Sequence, residues 1–283
     1  MTLTELYNTI IASLTPSLGQ NEAKATARLL LEDDLGVTRE MLVLRGDRVL
    51  EPETVERYTR FIDRIKAGEP PQYLIGSAHF MGMDIRVTPD VLIPRPETAE
   101  LCDIIIDHAN GASDLRVADL GTGSGCIALA LGRGLVFPHI DAYELSAPAL
   151  AVARDNARKL MVDINFIQAD ILKGLPAPAE PYDIIVSNPP YIADSEKPTL
   201  EPRVLLHEPA MALFVPDSDP LEFYRAIGQW ADTALKPSGT LYFEINPVYA
   251  VELQQLMGRL GFSCDLVRDA FAHLRFAICH HRN

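Results

Sequence analysis

The chain has 283 residues, 48% of them hydrophobic, and a formal net charge of −14. That length and apolar content allow one large or two modest domains with a well-filled core. The acidic balance speaks against binding nucleic acid through its phosphates, and no apolar run reaches the roughly 18 residues that would span a bilayer.

Residues 1 to about 75 read as helical. Leu3, Leu6, Ile10 and Leu14 recur at helical spacing, with Pro16 expected to close the segment. A second helix is predicted over 21–35, with Ala23, Ala27, Leu30 and Leu31 inward and Gly36 as its stop. Thr38 suits the cap of a short helix through Leu44, and Pro52 the first turn of another reaching about Lys66. None of this carries a catalytic signature. Residues 69–76 read as a linker entering extended structure, followed by a hairpin over 80–87 that turns near Gly82. The run Leu92-Ile93-Pro94-Arg95-Pro96-Glu97-Thr98 is stiff and irregular, suited either to holding a loop over a pocket or to leading into a helix over 98–108.

From Leu115 the pattern alternates strand and helix, as in a mainly parallel sheet covered on both faces. Strands are predicted near 116–119, 139–144, 165–168, 182–187, 240–245, 264–267 and 274–279. A short loop between the last two suggests a terminal antiparallel hairpin. The expected fold is α/β, a Rossmann-like sheet with a small N-terminal helical domain: residues 1–75, a connecting stretch 76–97, and the main domain 98–283. The tail His280-His281-Arg282-Asn283 reads as frayed surface.

Chemistry gathers at the predicted strand ends. After the first strand of the sheet, Asp119-Leu120-Gly121-Thr122-Gly123-Ser124-Gly125 opens an apolar helix. Alternate glycines let the backbone turn tightly and approach a ligand where a helix offers free amides. Glu144, about 20 residues on, is suited to both ribose hydroxyls, or is an ordinary strand-end carboxylate. Asp170 with Ile171 suits an adenine, or Asp170 is a helix cap. Together, at three successive strand ends, these residues favour an adenosine-bearing ligand. After the fourth strand comes Asn188-Pro189-Pro190-Tyr191. Proline cannot continue a sheet ladder and holds Asn188 extended, so the chain leaves the sheet there. The Asn188 side-chain oxygen and the Pro189 carbonyl can accept hydrogen bonds from a planar NH₂ group, with the Tyr191 ring as a flat wall. The plainer reading is a strand followed by a rigid turn.

The four cysteines, Cys102, Cys126, Cys264 and Cys279, are widely spaced without a Cys-x-x-Cys pair. That speaks against a zinc site or disulfide framework and fits a reducing compartment. The seven histidines do not cluster at ligand spacing, and no metal is expected. The polar amino terminus lacks a signal-peptide core, so the cytoplasm is the expected location.

These motifs resemble class I S-adenosylmethionine-dependent methyltransferases of the amino-methylating branch, and within it the PrmC/HemK family of release-factor glutamine methyltransferases. The narrower resemblance rests on Pro71-Gln72-Tyr73-Leu74-Ile75-Gly76, the Ile-Pro-Arg-Pro-Glu-Thr segment, His207-Glu208-Pro209 with Ala212-Leu213, and Asp269 with Arg275. It implies methyl transfer from S-adenosylmethionine, released as S-adenosylhomocysteine, to the glutamine amide nitrogen of the Gly-Gly-Gln loop of peptide chain release factors. Gly121, Thr122, Gly123, Ser124 and Gly125 would then wrap the methionine portion, with Asp119 also in the cofactor site, Glu144 would hold the ribose, and Asp170 and Ile171 the adenine. Asn188, Pro189, Pro190 and Tyr191 would hold the glutamine, and Asn188 would also touch the cofactor. A monomer without membrane or nucleic-acid partners is expected. Two departures are present: the ribose acid is usually Asp, and the loop 269–275 lacks the family's central glycine. The rivals are a methyltransferase acting on an exocyclic amine such as that of adenine in nucleic acid, and a non-catalytic S-adenosylmethionine-binding protein.

Overall fold

The structure, a computed structural model, describes residues 1–282. The chain opens with helices α1 (Leu3–Leu18), α2 (Gln20–Leu29), α3 (Arg39–Arg45), α4 (Pro52–Lys66) and α5 (Pro71–Ile75). Their apolar faces bury Leu6, Ile10, Leu14, Ala27, Leu30, Tyr58 and Phe61 in a cluster of their own. Thr2 caps α1 in a reciprocal pair with Glu5, and Thr38 caps α3 through the Met41 amide.

Three expectations here are corrected. Pro16 does not close α1, which runs on to Leu18. It sits in the last turn, where the buried Leu14 anchors the helix and the Gly19 amide still reaches the Thr15 carbonyl at 2.9 Å. The second helix is not uniform to Leu35, because Leu30–Asp34 widens into a π turn. There the Tyr58 hydroxyl contacts both the Leu30 carbonyl and the Asp34 carboxylate at 2.8 Å, holding the widened turn against α4. Residues 71–75, expected to belong to a linker, are helical: Pro71 starts α5 and Gly76 ends it at φ 82°.

The expected hairpin is present as β1 (Ser77–Phe80) and β2 (Met83–Arg86), joined through Gly82 at φ 71°. Then come α6 (Pro96–Ala109), β3 (Arg116–Leu120), α7 (Cys126–Gly134), β4 (His139–Glu144), α8 (Ala147–Leu160), β5 (Asn165–Gln168) and β6 (Tyr182–Ser187). They are followed by β7 (Ile192–Ala193), α9 (Pro202–His207), β8 (Phe214–Val215), α10 (Glu222–Ala234), β9 (Leu235–Glu244), α11 (Ala250–Arg259), β10 (Phe262–Arg268) and β11 (Leu274–His281).

Seven strands form one sheet in the order β10-β11-β9-β6-β3-β4-β5. All pairs are parallel except those that β11 makes with β10 and β9. Successive residues of β6 serve opposite faces, as the pleat requires. Ile184 and Val186 join the core with α6, α7 and α8, while Ile185 joins the one with α10 and α11. The strand order reverses between β3 and β6, and in open α/β sheets the crevice at such a reversal binds ligands.

Cys264 and Cys279 lie opposite each other on β10 and β11, with Cα atoms 4.1 Å apart and their sulfurs bonded, which corrects the expectation of unpaired cysteines. Sequence spacing does not encode cross-strand register. The carboxyl-terminal tail is not frayed: His280 and His281 lie in β11, and His281 stacks on Phe262 at 4.7 Å. Asn283, the last residue of that expectation, lies outside the described residues. In the glycine-poor loop 269–275, Ala272 takes the left-handed conformation at φ 65°, and the Asp269 carboxylate holds the turn by accepting from the Phe271 and His273 amides.

Candidate active site

Gly121, Gly123 and Gly125 take φ of 78°, 55° and 83° in the turn between β3 and α7, conformations that glycine adopts without strain. At Gly121 and Gly123 a Cβ would meet nothing within 4 Å, so the turn presents bare backbone to open space. Buried Asp119 braces the turn from behind, accepting from the Thr122 hydroxyl at 2.5 Å and the Ala128 amide at 3.2 Å. Burial pushes its carboxyl up to about 7 against the pull of those hydrogen bonds. Asn156 of α8 adds a second brace, donating to the Ser124 and Arg86 carbonyls and accepting from the Arg86 amide.

Glu144 ends β4 with both carboxylate oxygens anchored by backbone. One accepts from the Gly123 amide at 3.0 Å and the other from the Ser146 amide at 2.8 Å. Its length relative to aspartate is what reaches the glycine turn, and each oxygen keeps a free lone pair. Asp170 caps the turn over Ile171–Lys173 through the Leu172 amide and pairs with Lys173 at 3.0 Å. The capping alternative therefore holds, and Asp170 still faces the crevice.

These residues wall a cavity of about 210 Å³. Of the sequence-predicted cofactor residues, Gly121, Gly123, Glu144, Asp170, Ile171 and Asn188 line it, whereas Asp119, Thr122, Ser124 and Gly125 do not and instead shape the turn. Leu145, Leu172, Met211 and Phe223 were not expected and add an apolar rim. Leu145 and Leu172 directly follow Glu144 and Ile171, which was the available signal for them; Met211 and Phe223 had none. A glycine cradle, an acid with two free lone pairs and an apolar slot fit an adenosine bearing a short polar chain.

A second cavity, of about 510 Å³, lies between the helical region and the sheet. Its walls include Ala25, Thr26 and Leu29 of α2, Ile93 and Arg95 of the proline-rich segment, and Arg203 of α9. The turn after β6 divides the two cavities. Pro189 and Tyr191 face the larger one, Pro190 faces the smaller, and Asn188 lines both.

Behind the turn lies Glu244, buried at the end of β9. Its carboxylate accepts from the Thr98 hydroxyl at 2.7 Å and the Tyr191 hydroxyl at 3.0 Å, and Thr98 accepts from the Asn188 carboxamide at 3.2 Å. Burial pushes the Glu244 carboxyl up, opposed by those hydrogen bonds and the charge of Arg275. Sequence reasoning singled out neither Glu244 nor the Thr98 hydroxyl as a site group. A lone acid inside the apolar run Leu241-Tyr242-Phe243-Glu244-Ile245 was the available signal.

A nucleotide-type crevice at a sheet reversal, joined to a second cavity through an Asn-Pro-Pro-Tyr turn, is the arrangement of a Rossmann-like methyltransferase. The fold agrees with the Thermus thermophilus 16S rRNA N2 G1207 methyltransferase (TM-score 0.53, 17% identity, 73% of this chain and 50% of that one). It agrees likewise with a ribosomal protein L11 methylase of Lactobacillus delbrueckii (TM-score 0.51, 21% identity, 70% of this chain and 86% of that one). Family models match as the PrmC N-terminal domain over residues 5–76 and the methyltransferase small domain over residues 101–213. Release factor glutamine methyltransferases of Bacteroides thetaiotaomicron and Deinococcus radiodurans are 43% and 33% identical to it; the first match covers 83% of this chain and 84% of the relative, the second 98% and 97%. The chain belongs to the release factor glutamine methyltransferase family.

Proposed function

We propose that this protein methylates the side-chain amide nitrogen of the Gly-Gly-Gln glutamine in peptide chain release factors, acting as a cytoplasmic monomer; the location rests on that translation-factor substrate, because the Cys264–Cys279 bond withdraws the support of unpaired cysteines. The observation that carries the reading is Asn188, which lines both cavities and so stands where a cofactor and an acceptor side chain can meet. In the smaller cavity the free lone pairs of Glu144 take the ribose hydroxyls, Asp170 and Ile171 the adenine, and the Gly121–Gly125 turn the methionine portion. Bound S-adenosylmethionine supplies an electrophilic methyl group and leaves as S-adenosylhomocysteine.

A glutamine side chain enters from the larger cavity. Asn188 Oδ1 and the Pro189 carbonyl accept hydrogen bonds from its NH₂ group, orienting the nitrogen and stabilising the positive charge that develops on it. Tyr191 confines the planar amide on the side of the larger cavity, and Pro190 meets it only where the two cavities join. No group is needed to remove a proton beforehand, because the proton becomes acidic only as the methyl arrives, and it then leaves to water. Alignment of this kind contributes on the order of 7–11 kcal/mol. The helical unit 1–75, joined by 76–97 to the catalytic unit 98–283, supplies the docking surface that one glutamine cannot. Its support is that α2 forms part of the larger cavity wall.

The test is peptide mass spectrometry of a release factor incubated with the protein and S-adenosylmethionine, beside the Asn188→Ala variant. One methyl on the Gly-Gly-Gln glutamine, absent with the variant while cofactor affinity by calorimetry stays within severalfold, is the expected result. No methyl from the wild-type protein overturns the substrate, and near-normal turnover by the variant overturns the role of Asn188.

A further inference from the structure

We infer that Glu244 and Thr98 form a buried tether that sets which way the Asn188 carboxamide faces, so that its oxygen, not its nitrogen, is presented where the two cavities meet. The inference rests on the proposed acceptor role of Asn188 and extends it to residues that touch neither ligand.

A carboxamide is nearly isosteric when turned over, so shape alone does not choose between its two orientations. In an amide-methylating site the choice is decisive. An oxygen accepts from the substrate NH₂, whereas an NH₂ group opposes it donor to donor.

Thr98 resolves the choice by proton counting. Its hydroxyl has one hydrogen, and Glu244 Oε2, an acceptor when ionised, lies 2.7 Å away. With Glu244 ionised, that hydrogen is committed and Thr98 Oγ1 can only accept from Asn188, whose Nδ2 lies 3.2 Å away. The carboxamide oxygen then faces away from Thr98.

The same carboxylate holds the other end of the turn. Glu244 Oε1 accepts from the Tyr191 hydroxyl at 3.0 Å, so both flanks of Pro189-Pro190 are fixed to one buried group. That group is itself held: the Tyr224 hydroxyl donates to the Glu244 backbone carbonyl at 3.0 Å, and β9 lies in the sheet between β6 and β11. Thr98 and Glu244 are 2% and 1% exposed, too little for water to compete for these bonds. Neither lines either cavity. Both are therefore positioning residues.

Two variants separate this role from plain packing. Thr98→Val keeps the shape and removes the hydroxyl, whereas Thr98→Ser keeps the hydroxyl. In ¹⁵N-labelled free protein, the Asn188 side-chain NH₂ resonance, identified by its loss in Asn188→Ala, reports the tether without any ligand. Its solvent exchange should quicken about tenfold in Thr98→Val, roughly the worth of one hydrogen bond, and stay near wild type in Thr98→Ser.

With a release factor as substrate, Thr98→Val should lower kcat by about 10- to 100-fold, the scale of a misplaced reacting group, with KM and cofactor Kd nearly unchanged. Thr98→Ser should recover most of that loss. Unchanged NH₂ exchange in Thr98→Val, an unchanged kcat, or a Thr98→Ser enzyme as slow as Thr98→Val overturns the inference. If wild-type protein transfers no methyl to the release factor, the substrate reading falls while the exchange measurement still decides the tether.

Discussion

Arg95 Nη2 lies 2.5 Å from Glu208 Oε1, and the other oxygen of Glu208 accepts from the Ile93 amide, 115 residues away in sequence. One carboxylate thereby fastens the proline-rich segment to the stretch after α9, and both flank the larger cavity. Arg95 is partly exposed and can recover water, but the Ile93 amide is buried. Glu208→Ala should therefore cost about 1–3 kcal/mol, the penalty for stranding a buried donor. Urea unfolding measures it, and unchanged stability would show the clasp to be dispensable.

Ala25 is an exposed residue of α2 on the wall of the larger cavity. Ala25→Trp should fill the cavity without disturbing the helical core. Methylation of a release factor is expected to fall at least tenfold while cofactor affinity stays constant. Full activity would separate that cavity from the path of the substrate.

Glu144→Gln keeps the length and one acceptor oxygen but loses the charge, and should weaken S-adenosylmethionine binding by about 10- to 100-fold, the scale of a charge-assisted hydrogen bond. Calorimetry decides it. An unaltered Kd would remove Glu144 from the ribose site.

Asp119 is an acid whose folded-state pKa is raised from 3.8 to about 7. Between those values the folded protein binds more protons than the unfolded chain, so the Asp119 contribution to stability falls as pH rises, by on the order of 1.4 kcal/mol per unit. It levels off above about 7. Unfolding of wild type and Asp119→Asn at pH 5, 6, 7 and 8 should yield a stability difference that drifts against wild type up to pH 7 and then stays flat. A difference independent of pH would mean that Asp119 stays ionised throughout.

Ala272 holds a left-handed backbone at φ 65°, where a Cβ is unfavourable. Ala272→Gly should stabilise the protein by about 0.5–1 kcal/mol, less than the relief of strain because glycine also frees the unfolded chain. Loss of stability would place the strain elsewhere in the loop.

The helices of the amino-terminal region, the strands of the sheet and the strand-end motifs were legible in the sequence because each depends on local chemistry. Leu6, Ile10 and Leu14 share one face of α1 by the helical repeat, the branched run of β6 is stopped by Pro189, and glycines mark the turn after β3. Tertiary structure alone decided the rest. The continuation of α1 through Pro16, the π turn after α2 and the helix at Pro71 depend on contacts with distant residues such as Tyr58, or on cap geometry that near neighbours do not dictate. The pairing of Cys264 with Cys279 depends on strand register. The division of the glycine turn into lining and bracing residues depends on which way each side chain points. The largest gap was behind Asn188. Thr98, Asn188, Tyr191 and Glu244 come from α6, the turn after β6 and the end of β9, and a hydrogen-bonded chain among them exists only where the sheet brings those ends together. Sequence supplied each group's chemistry, and the placing of β6 beside β9, with α6 packed against them, decided which groups share a hydrogen bond.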